Sequence, residues 1–251
     1  MGGVLIGVAS LLAGQALHAF GLQPLSRIPH WFVAAGALLG ILLAPGRVLD
    51  ASRTRSGLRA FAVVLGIYLC FQLPLGIGYA LNWIHFTAGA GSFQHDQVWQ
   101  WALGAVEWYV LMLLGPSLIL FGLLQASLEP RALSRIAPAL AALLAALVGL
   151  LARGAVVEAE TLVERVLLPA LAVAALSQVY GRGGSLPDVA LGLGLLAFTQ
   201  RFLICNVERE FLPVGYYVIG QRSFLLLELI GALLAVALAL RFSKPGELAR
   251  A

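Results

Sequence analysis

Charge is scarce in this chain. Of its 251 residues only 11% are Asp, Glu, Lys or Arg, against about 25% in a soluble domain. Set beside 61% hydrophobic residues and a mean hydropathy of +0.93, that shortage excludes a water-soluble fold, because no such fold can hide this much apolar surface. Lipid must be the solvent. Cysteine is limited to Cys70 and Cys205, each alone in an apolar segment, which reads as two buried thiols rather than a disulfide or a metal pair. The net charge of +4 comes without a basic stripe interleaved with aromatic residues, so nucleic acid is not a partner.

Chemical signatures are missing too. The single lysine, Lys244, lies in the C-terminal tail, which excludes a Schiff base inside a membrane helix. There is no HExxH, no GxSG and no aspartate-rich diphosphate motif. The first apolar run, residues 2–22, lacks a basic n-region and reads as a retained helix, not a cleaved signal.

What is present is a series of apolar runs, each about the length that crosses a bilayer as a helix, roughly 20 residues. They fall near 3–22, 30–46, 59–81, 100–125, 136–157, 163–181, 187–206 and 221–241. The expectation is an all-α, polytopic transmembrane bundle of about eight helices. It forms one integral-membrane domain over 1–251, with four N-terminal helices in 1–125 and four C-terminal helices in 136–241. Arginine placement sets the orientation. Arg47, Arg53, Arg55, Arg59, Arg131, Arg135, Arg182, Arg241, Lys244 and Arg250 fall on one side, while Arg27, Arg153, Arg165, Arg209 and Arg222 fall on the other. The positive-inside rule then makes both termini cytoplasmic, and the Ala, Leu, Gly and Arg bias points to a bacterial inner membrane. The outer end collects His18, His30, His85 and His95, the glutamates 158, 160, 164, 208 and 210, and all five tryptophans. Tryptophan there forms an interfacial belt.

Three charges fall at membrane depth, where each costs some kcal/mol unless paired or in a watery cavity. They are Glu107, Arg201 and Glu228. An Arg201–Glu228 ion pair is the first expectation, with Glu107 and Glu160 as competing partners for the arginine. No metal or other cofactor is expected: no histidine pair has the i, i+4 spacing of a helical zinc site, and His30 and His85 are the candidates to name. The Gly115-Pro116-Ser117 stretch reads as a mid-helix kink with Ser117 bonding a freed carbonyl.

The remaining concentration of charge is the stretch "VEAETLVERVLLPAL", residues 157–171. A glutamate at a helix N-terminus is favoured by the dipole and the orphan N–H groups. Glu160 and Glu164 are also i, i+4, and an apolar run starts directly after Arg165. Two carboxylates at the rim of a dry pocket suit general-base work on water. "ETLVERVLLPAL" resembles the first motif of the CAAX-protease and bacteriocin-processing family of intramembrane glutamic proteases. In that motif two adjacent glutamates precede an arginine and an apolar helix. Glu160 matches the first glutamate and Arg165 the arginine, while Thr161 replaces the second glutamate. The family's Phe-x3-His motif finds Phe198 but has Phe202 where the histidine belongs, and no histidine follows His95 to supply the third motif. The resemblance, over about residues 150–240, implies a protease-like fold that has lost its catalytic histidines.

Three readings follow. The chain is a catalytically degenerate, protease-like membrane protein whose outer polar pocket, built from Glu160, Glu164, Arg165, Arg201, Glu228, Glu107 and Phe198, binds a peptide or a lipid. Alternatively it is a non-catalytic subunit that meets a membrane-protein partner through small-residue faces such as residues 192–196 and the Ala-rich last helix. The third reading is a small transporter or small-molecule membrane enzyme with Glu107 and Glu228 titrating in a watery path.

Overall fold

The computed structural model describes residues 2–19, 28–43, 57–88, 114–128, 132–152, 158–198, 204–205, 216–219 and 221–242. Within them lie eight helices, one for each apolar run. They are α1 (Gly2–Ala19), α2 (Ile28–Leu43), α3 (Leu58–Ala80), α4 (Gly115–Leu128), α5 (Ala137–Ala152), α6 (Ala159–Tyr180), α7 (Leu186–Phe198) and α8 (Gln221–Phe242). Three of them, Leu58–Ala80, Ala159–Tyr180 and Arg222–Arg241, are long and apolar enough to cross a membrane, and the other five are shorter apolar helices.

The helices are apolar all round, as lipid-embedded helices are. Several carry exposed stripes at helical spacing. On α3 these are Phe61, Leu65, Leu69, Leu73 and Ile77, and on α8 Leu226, Ile230, Leu233 and Leu234. The core side of the same helices is made of small residues. A methyl placed on Gly231 of α8 would lie 2.7 Å from the Cys70 carbonyl oxygen and 2.9 Å from Phe71 Cα of α3, so only glycine allows this backbone approach. Ala232, Ala235 and Ala239 extend the same fully buried side of α8. Gly192 of α7 likewise sits against Val64 and Leu176. The small-residue faces expected to await a partner are therefore used within the chain. Van der Waals packing of this kind holds helices together where lipid removes the hydrophobic difference.

The C-terminal part of α6 is the central pillar. Leu168, Val173, Leu176, Val179 and Tyr180 are all buried, and α4, α5, α7 and α8 pack around it. Contacts fix the directions. Gly14 meets Val33 and Gly40 meets Gly3, so α1 and α2 are antiparallel; Gly66 meets Leu238 and Gly78 meets Leu227, so α3 and α8 are antiparallel. One end of the bundle thus gathers the starts of α2, α6 and α8 and the ends of α1 and α3. The opposite end gathers the turn between α6 and α7 and the end of α8.

The turns have local causes. After α3, Asn82 adopts φ 59°, a left-handed conformation that asparagine tolerates. Trp83 N–H reaches the Gly78 carbonyl and Asn82 N–H the Tyr79 carbonyl, the paired bonds of a Schellman C-cap. The turn drives Ile84 into a small core with Leu75, Phe224 and Leu227. Before α7, Ser185 Oγ donates to Asp188 Oδ2 (2.6 Å) and accepts from Asp188 N–H, while Ser185 N–H donates back to the same carboxylate. This is a reciprocal capping box.

The described residues are predominantly helical, as expected, and beside the helices β1 (His85–Ala88), β2 (Ile204–Cys205) and β3 (Tyr216–Ile219) form a small three-stranded sheet in the order β1-β3-β2, antiparallel then parallel. Other details refine the expectations. The described part of α7 runs to Phe198, and Cys205 lies in a strand rather than a helix. Helix α6 starts at Ala159, with Glu158 at its N-cap, so the charged stretch is the start of the helix, as its glutamates imply, and the helix begins a few residues before the apolar run. Ser117 is fully buried and its Oγ makes no hydrogen bond; the irregularity after Pro116 is taken up by a π-helical run, Leu118–Gln125, whose wider turns change carbonyl pairing without help from the hydroxyl.

Candidate functional site

Glutamate placement defines the candidate site, at the end of the bundle that also carries the sheet. Glu158 is the N-cap residue of α6, with an extended backbone (φ −75°, ψ 149°) but no capping hydrogen bond from its side chain. Glu160 lies in the first turn, where the helix dipole favours a negative charge. Arg222, at the start of the parallel helix α8, donates from Nε to Glu160 Oε1 at 2.9 Å. The Arg222 side chain is 91% exposed and that of Glu160 36%. Two parallel helices are thus joined where both begin.

The structure brings together some of the expected residues and parts others. Among the described residues Glu160 is held by Arg222 rather than by Arg165. A topological signal could have found this partner: both residues open helices at the same end. Glu164 and Arg165 fall in a π-helical turn, Val163–Leu167, with Glu164 half-buried and Arg165 exposed. A π turn carries one residue more than an α turn, and such turns recur at functional sites. Glu228 is buried on α8, with 4% of its surface accessible. Phe198 is the last residue of α7. Glu107, Arg201 and His95 lie outside the described residues, so the expected Arg201–Glu228 pair does too.

Of the metal candidates, His30 is half-buried on α2 and His85 is the exposed first residue of β1, opposite Ile219. Among the described residues no group of three or more His, Cys, Asp and Glu side chains gathers around one point.

The arrangement offers an ion-paired, partly water-exposed carboxylate at the end of the bundle that carries the sheet. A glutamate poised as a base in a dry pocket would instead be desolvated and within reach of a proton relay. Chemically, this end can bind through a guanidinium and a carboxylate. No protein-family model, curated protein or solved structure matches this chain.

Proposed function

We propose that this chain is a multi-pass protein of a bacterial cytoplasmic membrane, with both termini in the cytoplasm. In this reading it is a non-hydrolytic relative of the CAAX-protease and bacteriocin-processing bundle that binds a peptide or lipid at its outer end. The membrane part of the reading is supported by the exposed leucine stripes on α3 and α8. Patches of that extent rarely face water. The basic residues gathered at the opposite end support the orientation.

The observation that carries the non-hydrolytic reading is the Glu160–Arg222 ion pair. The carboxylate that the resemblance would make catalytic is occupied by a guanidinium. The positions that would carry the relay histidines hold Phe202 and nothing after His95. Binding replaces chemistry: Arg222 presents a nearly free guanidinium face to an anionic or carbonyl group arriving from outside. The subunit reading is less favoured, because the small-residue faces it needs are packed inside the chain.

The test uses wild type and Glu160→Gln in sealed liposomes with a fluorogenic peptide library. Neither protein should cleave, and a photocrosslinker at position 222 should capture a peptide or lipid. Cleavage that disappears in Glu160→Gln would restore the protease reading, and an empty crosslinker would remove the binding role.

A further inference from the structure

The end of the bundle opposite the ion pair concentrates cations, and its acid among the described residues, Asp188, is buried in the cap of α7. Arg135 ends the 3-10 turn Ala132–Arg135, Arg182 lies in the turn between α6 and α7, and Arg241 is in the last turn of α8. They converge. The Arg135 side chain lies against Gly181, next to Arg182, with Cγ 3.1 Å from where a Gly181 Cβ would stand. Arg182 Nη1 donates to the carbonyl of Leu240 at 3.1 Å, immediately before Arg241, and more weakly to that of Ala239 at 3.4 Å. Those are orphan carbonyls at the end of α8, so Arg182 also caps that helix. Its Nε is enclosed and makes no hydrogen bond. Among the described residues none of the three arginines forms an ion pair.

Like charges held close to one another are unfavourable unless an anion joins them. Exposed apolar side chains adjoin them: Leu133, Ile136 and Leu140 on one side, and Leu240 on the other. A ligand that satisfies both features is an anion attached to an apolar tail. We infer that Arg135, Arg182 and Arg241 form a headgroup site for an anionic phospholipid of the inner leaflet, whose acyl chains lie along α5 and α8. Burial first, and the Arg135 charge second, hold the Arg182 guanidinium below its ordinary range; a bound phosphate would oppose both effects. Basic clusters between helices at the cytoplasmic face recognise lipid phosphates in this way. The inference rests on the membrane reading above but not on the outer-end ligand.

The experiment is native mass spectrometry of the full chain in neutral detergent, titrated with phosphatidylglycerol, phosphatidylcholine or inorganic phosphate. Thermal unfolding is read in parallel. Phosphatidylglycerol should bind at least about tenfold more tightly than phosphatidylcholine and raise the unfolding temperature, while inorganic phosphate at equal concentration does neither. The double variant Arg135→Gln/Arg241→Gln spares the Arg182 cap and should weaken phosphatidylglycerol binding roughly 30-fold. The corresponding double lysine variant should keep most of it. Equal binding of the two lipids, undiminished binding by the glutamine variant, or phosphate matching phosphatidylglycerol would each overturn the site. A chain that enters neither micelles nor vesicles would instead sink the membrane reading itself.

Discussion

Replacing Gly231 with valine tests the packing of α3 against α8. The added Cβ would stand 2.7 Å from the Cys70 carbonyl oxygen and 2.9 Å from Phe71 Cα, whereas ordinary contact begins near 3.4 Å. Both obstacles are backbone atoms, which cannot rotate away as a side-chain tip can. The two helices must therefore part by about 0.5 Å or more, loosening the buried Ile67, Phe71, Ala232 and Ala235 between them. Overpacking of this kind costs about 1–3 kcal/mol. The branched methyls of valine place Gly231→Val near the top of that range. For a chain of this size each kcal/mol moves the unfolding temperature by about 2–4 °C, so a fall of roughly 6–12 °C follows. The assay is thermal unfolding of the purified protein in one detergent, beside Gly76→Val. Gly76 is on α3, and a Cβ there meets nothing within 4 Å, so this control should shift little. If the two variants unfold at the same temperature, the close α3–α8 approach is wrong and the reasoning fails.

Two further outcomes can be checked in the same preparation. Because the Glu160–Arg222 pair is largely solvent-exposed, Glu160→Gln and Arg222→Gln should each lower stability by no more than about 1 kcal/mol, with the difference from wild type shrinking at high salt; a large, salt-independent loss would mean a desolvated pair. Asp188→Ala removes one half of the capping box at the start of α7 and should cost about 1 kcal/mol. Amide exchange in the first turn of α7 should quicken while the core of α6 stays protected, and unchanged exchange at residues 185–189 would count against the cap.

The helices were legible because their cause is local. A run of about 20 apolar residues hydrogen-bonds within itself and meets lipid or neighbours on every side, so α1, α2, α3 and α8 lie within a few residues of where the runs place them. Charge-bearing positions were harder to read. Glu160 could be located at a helix start from sequence, but its partner stands 62 residues away and depends on two helices running parallel. The local rule for prolines gives Ser117 a bond to a freed carbonyl, yet a π-helical run follows it instead, and the geometry of that run depends on what packs around it.

By itself the sequence determined the apolar character of the chain and where the helical segments among the described residues fall, since composition and hydropathy act residue by residue. Only the tertiary structure decided that residues 85–88, 204–205 and 216–219 pair as a sheet, that the small-residue faces of α7 and α8 are spent inside the chain, that Arg222 meets Glu160, and that Arg135, Arg182 and Arg241 share one end. Each of these is a contact between segments far apart in the chain. Such contacts are fixed by packing direction and by unpaired hydrogen-bonding groups seeking partners, quantities that no local window of sequence carries.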